Sequence, residues 1–180
     1  YYEGRTDEST NTLWIALDLY NKCESKRSYY PVDVAATYAI LGHCCYARGE
    51  YELAMRYYLE GSRVGKIGYL FNGMCELYSG IGRAAYRLGW LKLAKNYLSE
   101  AYQLHSEMGV NKDLDEVLIY QGMIALQNHD ISYARKLFFR AKQLSEQFHE
   151  PRISKLLDEF TIMELKTCTE KGDKQNGSKI

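Results

Sequence analysis

The feature that most restricts what this chain can fold into is a skeleton of residues that recurs every 40 positions. Tyr38, Gly42, Ala54, Tyr58 and Gly61 return as Tyr78, Gly82, Ala94, Leu98 and Ala101, and again as Leu118, Gly122, Ala134, Phe138 and Ala141. A fixed period of this length marks an array of supersecondary units, each of which buries its apolar face only by stacking on its neighbours. In every copy a glycine is followed twelve residues later by an alanine on the next helix, and small side chains let two helices approach closely. Between them lie Ala47-Arg48-Gly49-Glu50, Arg87-Leu88-Gly89-Trp90 and Gln127-Asn128-His129-Asp130, where Gly or Asn would supply a left-handed turn. Each copy therefore reads as a helix, a tight turn and an antiparallel helix. Tyr38, Leu41, Cys45 and their counterparts recur at three- and four-residue steps and share one helical face.

This order of residues resembles the tetratricopeptide repeat, whose signature is an aromatic, Leu-Gly, a bulky residue, then Ala, an aromatic and Ala. Tyr38, Leu41-Gly42, Cys45, Ala54, Tyr58 and Gly61 fill those slots. Tyr78, Ile81-Gly82, Ala85, Ala94, Leu98 and Ala101 follow, then Leu118, Gln121-Gly122, Ala125, Ala134, Phe138 and Ala141. The resemblance implies an all-α superhelical array of antiparallel helix pairs. It also implies a concave groove, lined by the first helices, that takes extended peptides or protein segments. The family's groove positions fall on Ala36, Ala39, His43, Tyr46 and Ala47 in the first copy. In the second they fall on Glu76, Ser79, Arg83, Tyr86 and Arg87, and in the third on Glu116, Ile119, Met123, Leu126 and Gln127. The ligand-binding set expected on this basis is His43, Tyr46, Glu76, Ser79, Arg83, Tyr86, Arg87, Glu116, Met123 and Gln127. Arg83 and Arg87 stand one turn apart with Tyr86 beside them, a pairing that suits a carboxylate. The competing reading is that the arginines pair with Glu76 and Glu116 as ordinary solvated charges. The family's chaperone-tail clamp needs Lys and Asn where this chain has Ala36, Glu76, Ile40, Gly80 and Tyr120, so that function is disfavoured.

Helix signals place the pairs at Pro31 to Arg48 with Tyr51 to Val64, Leu70 to Leu88 with Leu91 to Met108, and Lys112 to Asn128 with Ile131 to Phe148. The second helix of the first pair is expected to weaken toward its end at Gly61, Gly65 and Gly68, because glycine costs roughly 1 kcal/mol relative to alanine inside a helix. Thr12 to Ser25 reads as the second helix of an incomplete unit, and Gly4 to Glu8 as a turn or frayed end. Pro151 opens a last helix whose stripe of Ile153, Leu156, Leu157, Phe160 and Met163 suits a cap over the final pair. The expectation is one helical domain over 1–167 and a disordered tail over 168–180, where periodicity ends.

Twenty-three basic and 23 acidic residues balance, so no field steers this chain to nucleic acid or to a membrane surface. Five cysteines, Cys23, Cys44, Cys45, Cys75 and Cys168, are an odd number and read as small apolar fillers of a reducing cytoplasm. His43-Cys44-Cys45 invites a metal reading, but consecutive helical residues point about 100° apart and cannot converge on one ion. His129-Asp130 reads as a helix cap formed by Asp130. No catalytic, phosphate-binding, metal or cofactor motif is present. The functional expectation is a non-enzymatic module that binds a peptide or protein in its groove. Two alternatives stand beside it. Leu77 to Gly82 followed by Ala85 to Gly89 resembles the peptide-sensing half of bacterial transcription regulators, and a homo-oligomeric structural subunit would also use the repeat surface.

Overall fold

The computed structural model describes residues 11, 14, 15, 18, 31–67, 71–109, 113–148 and 151–176. The fold is all-α. The described helices are α1 (Pro31–Ala47), α2 (Tyr51–Ile67), α3 (Phe71–Arg87), α4 (Leu91–Met108), α5 (Leu114–Gln127), α6 (Ile131–Phe148) and α7 (Pro151–Asn176), and no strand occurs among the described residues. Trp14, Ile15 and Asp18 are helical as well; the rest of the helix expected from Thr12 to Ser25, and the turn at Gly4 to Glu8, lie outside the described residues. The chain divides into two compact units, Tyr1–Met108 and Gly109–Ile180. In the first unit consecutive helices pack on one another, and α1 also touches α3. In the second, α5 pairs with α6, and α7 lies against both, more on α5.

The 40-residue period reappears in the backbone of the three turns. In the first, Gly49 N–H donates to Tyr46 O at 3.0 Å and Glu50 N–H to Cys45 O at 3.0 Å. The same pair of bonds joins Gly89 to Tyr86 and Trp90 to Ala85, and then His129 to Leu126 and Asp130 to Ala125. This is the Schellman arrangement, which satisfies the last carbonyls of a helix and requires a left-handed residue after it. Gly49 (φ 79°), Gly89 (φ 78°) and His129 (φ 60°) supply that conformation. Asp130 then caps the following helix, its Oδ1 accepting from Tyr133 N–H at 3.1 Å.

The register glycines sit at close contacts, but their principal neighbours are large. A side chain at Gly42 would run into the ring of Tyr58, and a Cβ at Gly80 would lie 2.7 Å from the other side of that ring. Tyr58 is fully buried between them. A Cβ at Gly82 would lie 2.6 Å from Leu98 Cγ, and at Gly122 it would meet Phe160 at 2.8 Å, with Ala134 O at 3.5 Å. In the first two copies the close approach is therefore glycine against the bulky residue sixteen positions on, more than against the alanine at twelve, and in the third it is against Phe160 of the last helix. In α2 the glycines do not end the helix near Val64, as expected; it continues to Ile67, and Gly68 lies outside the described residues. Gly61 is buried, and a Cβ there would lie 2.7 Å from Leu77 and 3.0 Å from Tyr38, so tertiary packing offsets its weak helix propensity.

The last helix also departs from its expected end, passing Cys168 and running to Asn176. Loss of apolar periodicity there marks the end of a core-facing stripe and not the end of the helix, since Glu, Lys and Gln are good helix formers. Its apolar stripe is anchored by Ile153, Leu156 and a fully buried Phe160, whose ring stacks on Phe138 at 4.4 Å.

Candidate functional site

Seven of the ten expected site residues lie in the first unit, on α1 and α3, and five of them, His43, Tyr46, Glu76, Arg83 and Arg87, form two connected clusters. The first is a hydrogen-bonded chain. Tyr58 O–H donates to His43 Nδ1 at 2.8 Å, and His43 Nε2–H donates to Glu76 Oε1 at 2.6 Å. A carboxylate only accepts, so the imidazole proton sits on Nε2 and leaves Nδ1 as acceptor for the tyrosine. Tyr58 was not among the expected site residues; its place in the skeleton marked it only as core. The second cluster is built on Tyr46. The Arg83 guanidinium lies 5.3 Å from the centroid of the Tyr46 ring, and Arg87 Nε–H donates to the Tyr46 hydroxyl at 3.4 Å. The Tyr51 ring meets Tyr46 edge-on at 5.1 Å.

Burial separates the ten positions into two groups. Ser79, Arg83, Tyr86, Glu116 and Met123 are buried and do not present themselves to an incoming ligand. Ser79 spends its hydroxyl on Cys75 O at 2.7 Å, one turn back in its own helix. Glu116 and Met123 belong to α5, twelve of whose 14 residues are buried. His43, Tyr46, Glu76 and Arg87 are partly exposed and close together in the first unit, while Gln127 is exposed at the end of α5 in the second. The arginine pair is thus divided: Arg83 is a packed cation under Tyr46, and Arg87 is the one that reaches the surface.

Position equivalence over 40 residues aligns this surface. Ala36, Ile40, His43 and Ala47 on α1 match Glu76, Gly80, Arg83 and Arg87 on α3, and the two ridges touch through His43 and Glu76. The α1 ridge carries an unusual composition. Asp33 is the only acidic or basic residue of this 17-residue helix apart from His43. A helix apolar on every side is ordinarily one that is buried on every side. The comparably apolar α5 obeys that rule, yet α1 leaves Val32 49% and Ile40 41% exposed, together with Ala36 and Ala47.

The histidine-cysteine run does not converge. Cys44 and Cys45 are buried, His43 is turned toward Tyr58 and Glu76, and no cluster of three or more metal-ligating groups exists among the described residues. Burial pushes the Cys45 and Cys75 thiols above the ordinary thiol range, and at Cys45 the neighbouring Arg48 only partly opposes it. Elsewhere in the first unit, a cleft of about 390 Å³ is lined by Trp14, Tyr38, Leu53 and Tyr57 with Asp18, Arg56 and Glu60, its charges mixed in sign. No helix among the described residues is long and apolar enough to cross a membrane.

No family model matches the chain, and no curated protein matches it significantly. The likeness to tetratricopeptide repeats rests on the residues in register.

Proposed function

We propose that this chain is a non-enzymatic interaction module of the tetratricopeptide type, and that the α1–α3 surface of its first unit binds a peptide or a segment of a partner protein. The observation that carries the reading is the exposed apolar ridge of Val32, Ala36 and Ile40 on a helix with the composition of a buried one. Exposed apolar surface beside ordered polar groups is characteristic of sites that another chain covers. Tyr46, His43, Glu76 and Arg87 adjoin the ridge and can supply hydrogen bonds that set specificity. The first helices carry both ridges, in agreement with the groove that the resemblance implies. A cytoplasmic location belongs to the same proposal, supported by the odd number of cysteines and the placement of Cys44, Cys45 and Cys75 as buried side chains on helices.

The test is selection from a random-sequence peptide library on immobilised protein, followed by calorimetric titration of the enriched peptides. Ile40→Lys should lower affinity by about tenfold or more, as expected when a central apolar contact is lost. Lys142→Ala, on the exposed side of α6, should leave it unchanged. Equal binding by wild type and Ile40→Lys would place the site elsewhere.

A further inference from the structure

We infer that the segment bound on this surface is dipolar, with an apolar middle and charges of opposite sign at its two ends. The inference rests on the proposed binding face and adds the charge pattern of its ligand. Glu76 and Arg87 lie on the same ridge of α3, eleven residues apart. That is three turns with an angular offset of only roughly 20°, so both side chains leave the helix in one direction, separated by about 16 Å along its axis. Between them on the ridge stand Gly80, with no side chain, and Arg83, which is buried against Tyr46. The polar ends of the face are therefore one carboxylate and one guanidinium, while the neighbouring α1 ridge places the exposed side chain of Ile40 opposite Gly80, between them.

Each terminal group is also held in place. Glu76 keeps 39% of its side chain exposed while one oxygen accepts from His43, and that imidazole is fixed in turn by the buried hydroxyl of Tyr58. Arg87 is oriented by Tyr46. Preorganised charges at a partly desolvated surface act chiefly on which ligand binds and in which direction, because a like-charge juxtaposition is strongly unfavourable. A segment with its cation at Glu76 and its anion at Arg87 satisfies both, and the reversed segment satisfies neither. The separation also reports ligand conformation: about 16 Å corresponds to about five residues of an extended strand or about eleven of a helix.

The experiment uses the same random-sequence library against wild type and the charge-exchanged variant Glu76→Arg/Arg87→Glu. Peptides enriched on wild type should carry a basic and an acidic residue at one of those two spacings with apolar residues between, and the exchanged variant should enrich the opposite chain order. Because the exchange removes the His43 partner, the wild-type peptides are also titrated into Glu76→Gln and Arg87→Gln, each expected to weaken binding by about tenfold. Enriched peptides without a charge pattern, or an order unchanged by the exchange, overturn the inference while leaving the face as a binding surface. Failure to enrich any peptide overturns both.

Discussion

The glycine at the centre of the second copy can be tested by comparing the same substitution at two positions of one helix. Gly73 and Gly82 both lie in α3, but an added Cβ at Gly73 meets nothing within 4 Å, whereas at Gly82 it lies 2.6 Å from Leu98 Cγ and 3.2 Å from Leu98 N. Real Cβ atoms are not found so near a neighbour. The obstructing atoms are a branch point and a backbone nitrogen of a fully buried residue, which cannot swing aside as a chain tip can. Alanine at either position gains up to about 1 kcal/mol of helix propensity. At Gly82 overpacking opposes this by roughly 1–3 kcal/mol, and the helices must separate to accommodate it. Gly73→Ala should therefore stabilise the first unit slightly, Gly82→Ala should destabilise it by about 1–2 kcal/mol, and Gly82→Leu by more. Both tryptophans, Trp14 and Trp90, belong to the first unit, so urea unfolding followed by tryptophan fluorescence reports that unit alone. Leu98→Ala offers a further check, since in its background Gly82→Ala should cost less by at least about 0.5 kcal/mol. If Gly82→Ala proves as stable as Gly73→Ala, the close-contact argument fails.

Three other outcomes are expected. His129 occupies the left-handed position that glycine holds in the other two turns, a conformation that costs a non-glycine residue about 1–2 kcal/mol, so His129→Gly should raise the stability of the second unit by about 0.5–1 kcal/mol, measured by circular dichroism on denaturation. Phe160→Ala removes a fully buried ring and should cost that unit about 3–5 kcal/mol, with loss of the α7 amides from slow hydrogen exchange as the readout. The raised Cys45 and Cys75 thiols bind protons more tightly folded than unfolded; their contribution is complete below the ordinary thiol range and is lost as pH rises through the folded values. Denaturation midpoints of the first unit should accordingly fall in alkaline solution, and a midpoint that rises there refutes the assignment.

Much of the fold could be read from the residues because its instructions are local. Turn positions follow from Gly49 and Gly89, the cap from Asp130, and helix starts from Pro31 and Pro151, each acting within a few residues. What could not be read is depth. A helical wheel places Ser79, Arg83 and Arg87 on related faces but does not say how closely a second element covers each. Arg83 is enclosed and Arg87 is not, and the deciding contact, the ring of Tyr46, is 37 residues away. For the same reason the sequence suggested that Gly42 faces Ala54, whereas three-dimensional packing sets it against Tyr58. The skeleton conveyed that room was needed at Gly42, not what fills it. Tyr58 escaped notice as a site residue because one side chain serves two purposes, its ring as filling and its hydroxyl as the inner end of a polar chain.

The brevity of the three turns bears on how the chain acquires its structure. Each joins two helices through only Arg48 to Glu50, Leu88 to Trp90 or Asn128 to Asp130, so the partners within a pair are separated by little sequence. Closing such short loops costs little entropy, and chains dominated by near-neighbour contacts fold quickly. During synthesis α1 and α2 can close on each other before α3 exists, with Gly42 already against Tyr58. Gly80 then arrives on the opposite face of a ring that is already in place. Within the first unit, assembly in this direction lets each new helix dock on a finished template, and an interruption after the first pair leaves that pair able to persist.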